Sequence, residues 1–402
     1  GLTVSLTPKQ IEYLQNCSHR WNVKTGATGS GKSFVDYTVT IPKRILAARG
    51  EGLLVLLGNT QGTLARNILE PMRKFWGPDL VGNISSDNTV KLFGKRCYVL
   101  GADNKKHVAR IQGATFEWVY GDEVTTWSEE VFRMLQSRLR CEHSAFDGTC
   151  NPDSPTHWFK KFLDTADDLY QQSYTIDDGV LPARVVAALK KEYAGTVYYD
   201  RWILGQWKIA SGLVYPFFAE HPEKYLYTGP TEGLNGTFYV SIDYGTHNPC
   251  SMGLWCVDGN RAIRIAESYY DSKTARKQRT DEEHYAELER LTAGRLPRYI
   301  VVDPSAASFI ETIRRHGRFQ VLAANNSVLN GIRATASLLN AGKVLIHSSC
   351  KDGIREFGAY CWDDKAKEDK VVKENDHAMD DIRYFVSTIL ARQYRWADWK
   401  EV

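Results

Sequence analysis

Two hydrophobic patterns alternate along this chain, and the switches between them mark its elements. Residues 53–58 form a continuous apolar run, and residues 116–121 form another, broken by one glutamate. Such runs predict strands buried on both faces, as in a parallel sheet covered by helices. Residues 21–24 and 146–150 predict shorter strands, and 90–101 a hairpin turning at Gly94-Lys95. Helices fall between them. Thr7 as N-cap with Pro8 in the first turn opens one. Residues 34–47 predict a second, kinked or shortened by Pro42. A capping box at Thr126-Trp127-Ser128-Glu129 starts a third, which runs to Arg140.

From about residue 181 the pattern changes. Residues 181–195 predict a helix, and 198–207 are rich in aromatics. Residues 211–230 hold three prolines and no long period. Strands return at 237–242, 251–257 and 261–270, the last two joined by an Asp258-Gly259 turn. Thr280-Asp281-Glu282-Glu283 caps a helix to about Gly294, residues 299–302 read as a buried strand, and a last helix starts near His377. The division predicted is a first domain over 1–180, a helical linker and crossover over 181–235, and a second domain over 236–402.

Composition narrows the class. The chain has 402 residues, 43% hydrophobic and 25% charged, enough for two domains with sizeable cores. A formal net charge of +3 is slight, so any contact with nucleic acid must come from local patches. Eight cysteines are scattered without a C-x-x-C pair or convincing zinc spacing, which predicts reduced thiols in a cytosolic protein. No apolar run reaches about 18 residues, so no membrane span is expected.

Chemistry concentrates at two places. Gly26-Ala27-Thr28-Gly29-Ser30-Gly31-Lys32-Ser33 satisfies G-x-x-x-x-G-K-[ST]. Glycines allow a tight loop whose backbone N–H groups face inward at a helix N-terminus and cradle phosphate. Lys32 then reaches the β- and γ-phosphates of ATP, and the Ser33 hydroxyl ligates Mg²⁺. Some 90 residues on, the strand over 116–121 ends in Asp122-Glu123. In phosphate-loop ATPases the first such acid holds the Mg²⁺ and the next activates the attacking water. Gln10 is either an adenine-edge reader or a solvated helix residue. Asn151, after the strand ending Thr149-Cys150, is either a γ-phosphate sensor or a simple turn. Arg110, Arg138 and Arg140 are either surface and helix-end charges or contacts to phosphate or a neighbouring subunit.

In the second half, Asp243 and Asp303 end predicted strands, and His377, Asp380 and Asp381 share one helical face at i, i+3 and i+4. The order of three strands, helix, acid-tipped strand and final acid-bearing helix is a ribonuclease H-type layout. Carboxylates gathered in this way repel unless cations neutralise them. Two Mg²⁺ or Mn²⁺ ions would do so and would clamp a phosphodiester. His377 would join as a ligand or bind the scissile phosphate. Basic clusters at 273–279 and 314–318 either track a DNA backbone or are solvated helix ends.

Taken together, these motifs resemble the large terminase subunit of tailed bacteriophages, nearest the PBSX-like and SPP1-like group. The matching segments are Gln10, Gly26 to Ser33, Asp122-Glu123, Thr149-Cys150-Asn151-Pro152, Tyr198 to Trp202, Asp243-Tyr244-Gly245, Val302-Asp303-Pro304 and His377-Ala378-Met379-Asp380. The resemblance implies a RecA/ASCE-like P-loop ATPase domain with a mainly parallel sheet, joined to an RNase H-like α/β nuclease domain. It implies an ATP-driven motor that moves double-stranded DNA into a procapsid and a two-metal endonuclease that cuts the concatemer. Its implied partners are the portal protein, the small terminase subunit and a homo-oligomeric ring of about five subunits. Its implied place is the host cytoplasm, transiently on the procapsid and not in the mature virion. Two departures stand out. Family loops often carry an arginine where this chain has Ala27 and Thr28, with Lys24 the nearest base, and the last motif reads Asp380-Asp381 where Asp-Ala is usual. The metal is therefore assigned to Asp380, with Asp381 as substitute. The competing expectations are a host-type DNA repair ATPase-nuclease and a nucleotide-gated assembly protein without cleavage.

Overall fold

The computed structural model describes residues 3–391, in two units. The first takes the chain up to Val186 together with Asp200–Ile209; the second takes Ala187–Tyr199 and the chain from Ala210 onward. The expected linker over 181–235 is therefore shared out between the two units, its aromatic stretch split at residue 200.

The first unit is built on seven strands: β1 (Trp21–Gly26), β2 (Leu53–Gly58), β3 (Thr89–Leu92), β4 (Lys95–Gly101), β5 (Phe116–Gly121), β6 (Ala145–Cys150) and β7 (Leu169–Tyr174). Their spatial order is β3-β4-β2-β5-β6-β1-β7, parallel throughout except for the β3–β4 hairpin. Every position of β1, β5 and β6 is buried. Their alternating side chains feed two cores. Val55, Leu57 and Val119 pack on one face, and Leu54, Leu56, Trp118 and Tyr120 on the other.

The second unit also has seven strands: β8 (Leu226–Tyr227), β9 (Thr237–Asp243), β10 (Cys250–Val257), β11 (Ala262–Tyr270), β12 (Tyr299–Val302), β13 (Val321–Ala323) and β14 (Val344–His347). Their order is β13-β12-β9-β10-β11-β14-β8. β9, β10 and β11 form an antiparallel meander, and β12 lies parallel to β9. The helix His377–Phe385 packs against this sheet, with Phe385 stacked 4.2 Å over Trp255.

Local details shift from expectation for physical reasons. Phe93 and Gly94 both take positive φ, so the hairpin turns there, one residue earlier than Gly94-Lys95. The third helix is capped by Ser128, whose hydroxyl accepts from Val131 N–H, because Val124–Thr126 forms its own tight turn. Pro42 does not shorten its helix. The helix runs over 32–47 with one turn, Asp36–Thr40, widened to π immediately before the proline. Pro71 follows a second such turn, Ala65–Leu69, in the helix over 61–76. A wider turn relieves the clash between a proline ring and the carbonyl four residues earlier.

Candidate functional site

The first centre forms where β1 ends. At Gly26, φ is +131° and any Cβ would run into the Tyr174 carbonyl oxygen, so only glycine fits. The loop is pinned by Ala27 N–H to Tyr174 O and Thr28 N–H to Trp202 O, each 3.0 Å, and by Ser30 Oγ to Ala27 O at 2.7 Å. Gly31 is left-handed at the N-cap, and Lys32 and Ser33 occupy the first turn of the helix. The Lys32 ammonium donates to Gly26 O and Ala27 O at 2.7 Å each and to Asn151 Oδ1 at 3.0 Å. Burial pushes its pKa down to about 8. Gln10 is buried, not solvated. Its Oε1 accepts from Thr7 N–H and its amide donates to Gly31 O at 3.0 Å, tying the first helix to the loop.

Asp122 and Glu123 follow β5. Burial, then the charge of Glu123, raises the Asp122 pKa to about 7. Thr149 Oγ1 donates to one of its oxygens at 3.2 Å and Asn67 Nδ2 to the other at 3.0 Å. Glu123 sits at φ +52°, and its Oε2 is buried with no hydrogen-bond partner. For a residue other than glycine this left-handed backbone carries strain. Because β6 lies between β1 and β5, its end meets both motifs: Asn151 touches Lys32 while Thr149 touches Asp122. Asn67 was invisible to motif reading; the only signal is the proline-linked π turn that carries it. Lys24, the nearest base by sequence, points into the core, 2.6 Å from Asp36 and 3.7 Å over the Tyr13 ring. Its role is packing. Arg110 and Arg140 are exposed.

The second centre collects residues from three elements. β12 pairs with β9 so that Val302 faces Ile242, which sets Asp303 beside Asp243 at the strand ends. Asp243 Oδ2 lies 3.0 Å from His377 Nδ1. Burial raises the Asp243 pKa to about 6, against the hydrogen bond from His377 and with help from the charge of Asp380. Burial works against a charged His377, but the Asp243 carboxylate outweighs it and raises the imidazole pKa. Asp303 is opposite in sign: burial pushes it up, but hydrogen bonds from Ser305, Asn326 and Tyr384 win and hold it below the usual carboxylate range. Asp380, raised by burial, pairs with Arg383 at 3.0 Å. The Tyr384 hydroxyl feels all three acids, whose charges add to burial in raising its pKa.

Asp381 is corrected. It is fully buried and faces inward, where its carboxylate pairs with Arg264 and accepts from Ser241 Oγ at 2.8 Å and from Ser251 Oγ. A carboxylate already neutralised in this way gains little from a second cation. The substitute-ligand expectation therefore fails, and the i+4 spacing that suggested it places Asp381 one step around the helix, on the sheet. Glu356 is a residue the sequence did not single out. Its buried carboxylate accepts from Ala378 N–H at 2.7 Å and Met379 N–H at 3.2 Å, capping the helix that carries His377 and Asp380, and Tyr269 donates to its other oxygen. Among the described residues, no three donors of this centre fall within 4.8 Å of one another; the one set that does is Glu51, Cys141 and His143, in the first unit. Each acid of the second centre is instead tied to its own protein partner. The donor set Asp243, Asp303 and Asp380 is all oxygen, which suits a hard divalent cation.

Known proteins resemble this chain in sequence and structure. The family described as terminase large subunit, T4likevirus-type, N-terminal, matches residues 25–221. The terminase large subunit of Escherichia phage T5 is 21% identical over 410 residues, covering 94% of this chain and 89% of that protein. The large terminase of a thermophilic bacteriophage is 32% identical, covers 96% of this chain and 100% of its own, and superposes with a TM-score of 0.85. The same protein in complex with ADP gives 0.83 and with ATP-γ-S 0.82.

Proposed function

The chain belongs to the phage large terminase family, and we propose that its two centres divide the work of DNA packaging. The first turns over ATP to drive double-stranded DNA into a procapsid, and the second cuts the concatemer. The observation that carries the motor is the end of β6, where Asn151 holds Lys32 and Thr149 holds Asp122. A change in the phosphate neutralised by Lys32, or in the Mg²⁺ held by Asp122, is felt at one strand end, which is what coupling hydrolysis to movement requires.

In this reading Gly26, Thr28, Gly29, Ser30 and Gly31 shape the phosphate cradle, Lys32 neutralises the β- and γ-phosphates, and Ser33 and Asp122 hold Mg²⁺. The complexes of the thermophilic phage's terminase with ADP and ATP-γ-S support a nucleotide at this loop. The bound ion supplies charge neutralisation. Glu123 orients the attacking water and takes its proton, a role supported by its unpartnered buried oxygen. Gln10, lying on Gly31, is placed to read the adenine edge.

We assign the second unit an RNase H-like nuclease fold on the order β13-β12-β9-β10-β11. Asp243, Asp303 and Asp380 would hold two Mg²⁺ or Mn²⁺ ions, which clamp the attacking and leaving oxygens of a phosphodiester when bound. His377 orients Asp243, and Arg383 balances the charge of Asp380. Residues 1–180 form the motor, 181–235 the crossover and 236–402 the nuclease. The proposed partners are DNA, the portal protein, the small terminase subunit and further copies of this chain in a ring, in the host cytoplasm. Among the described residues no helix is long and apolar enough to cross a membrane. The test is a supercoiled plasmid with Mn²⁺: the chain nicks it, and Asp243→Asn abolishes nicking while ATP turnover persists. Undiminished nicking by that variant would remove Asp243 from the cutting centre.

A further inference from the structure

The set Glu51, Cys141 and His143 lies away from both centres. Glu51 stands just before β2, Cys141 and His143 just before β6, and Glu117 near the start of β5 between them. In a parallel sheet these are all entry ends. Asp122, at the other end of β5, is five residues from Glu117, roughly 16 Å along the strand.

The set is organised around His143. Glu117 is almost wholly buried and accepts from the backbone N–H groups of Arg49, Gly50 and Glu51; burial works against its charge, but those bonds and His143 win and hold its pKa down. It is therefore an anion, and it lies 2.8 Å from His143 Nε2. Its Nδ1 lies 3.6 Å from the Glu51 carboxylate. With Nε2 engaged by Glu117, a cation held between Nδ1 and that carboxylate would satisfy both. Cys141 brings its Sγ into the same space, and all three donor atoms lie within 4.8 Å of one another. A tight turn fixes them: Cys141 N–H donates to Ser144 Oγ, which donates to Phe116 O. Donors around a tetrahedral Zn²⁺ stand about 3.3–3.8 Å apart, given its usual bond lengths. Sulfur, imidazole and carboxylate together are a zinc-type donor set, and a carboxylate behind the histidine is the usual way to orient such a ligand. The side chains are partly exposed, which leaves an entry path.

We propose that Glu51, Cys141 and His143 bind one Zn²⁺, with water in the fourth position, and that the ion staples the entry ends of β2 and β6 across β5. The competing arrangement is a proton on Nδ1, with His143 bridging two carboxylates.

The test uses the full chain and Co²⁺ as a spectroscopic stand-in. One equivalent gives a thiolate-to-cobalt charge-transfer band. The oxygen donors at Asp122 and Asp243 cannot produce it, and the neighbouring Cys150 and Cys250 are kept as thiols by burial, which pushes each to about 12. Cys141→Ser abolishes the band and His143→Ala weakens cobalt binding at least about tenfold. Zn²⁺ displaces the band and slows alkylation of Cys141 by iodoacetamide at least about tenfold. No band at one equivalent, a band that survives Cys141→Ser, or alkylation indifferent to Zn²⁺ would overturn the proposal and leave the proton bridge. ATP turnover and plasmid nicking are read separately, so loss of this site does not count against either centre.

Discussion

The two centres solve one electrostatic problem in different ways. Both bury carboxylates beside the place where phosphate is to be handled, and both raise an acid by burial: Asp122 to about 7 and Asp243 to about 6. In the first, Lys32 is held by two loop carbonyls and Asn151, and the phosphate loop, the acid pair, Thr149 and Asn151 come from the ends of β1, β5 and β6 and their adjoining loops, with Asn67 and Gln10 added from helices. The second draws its acids from β9, the loop after β12 and the helix His377–Phe385, and gives each a different partner: His377, Asn326 or Arg383. The difference teaches that a centre built on contiguous loops is preassembled by the backbone, whereas one built across elements depends on what fixes each element. Glu356 does this for the helix.

The sharpest way to break the comparison is at the paired acids of that helix. Asp381→Asn strips buried Arg264 of one of its two carboxylates, leaving Glu267 at 3.2 Å, and costs up to about 3–5 kcal/mol, seen as an early melting step of the second unit. Asp380→Asn removes Mn²⁺-dependent nicking and costs less stability, because Arg383 keeps its bonds to the Asn326 and Ser327 carbonyls and burial already disfavours the Asp380 charge. If the two variants swap effects, the division between structural and functional acid is wrong. Next is Lys32→Ala, which lowers the rate of ATP hydrolysis by roughly 10²–10³-fold and leaves nicking intact. Joint loss of both activities would show that the centres are not independent.

The smallest effect is in pH. A raised acid pKa means a proton must leave before a cation binds, so affinity falls as pH falls through that pKa. Mg·ATP binding is expected to weaken about tenfold from pH 8 to pH 6, following Asp122, and Mn²⁺-dependent nicking about tenfold from pH 7 to pH 5, following Asp243. The opposite sign governs stability without cations. Each folded pKa lies above the unfolded value, so ionising these acids destabilises the fold as pH rises through about 4 to 7. Isothermal titration at matched ionic strength reads the first and a plasmid assay the second; flat profiles would mean that neither acid is protonated in the folded chain.

Much of the first centre was legible. The eight residues from Gly26 to Ser33 and the pair Asp122-Glu123 dictate their own geometry, because glycine φ values and a strand end leave little choice. The meander and the capped helix after Thr280 were legible too, from strand-like runs joined by an Asp258-Gly259 turn and from a capping box that forms as read. Pro42 distorts its helix, as a π-widened turn just upstream, but does not shorten it, because the wider turn absorbs the ring.

What the sequence alone determined are the features closed by neighbouring residues: the phosphate loop, the acid pair, the hairpin between β10 and β11, and the helix caps at Thr7 and Thr280. What only the tertiary structure decided are the pairings across long stretches of chain. These are the burial of Asp381 on Arg264, Asn67 and Thr149 on Asp122, Glu356 beneath the last helix, and Lys24 in the core. The physical reason is that a side chain's charge and hydrogen bonds are settled by whatever it is buried against. Residues far apart in sequence meet there through strand order and helix rotation, which no local spacing encodes.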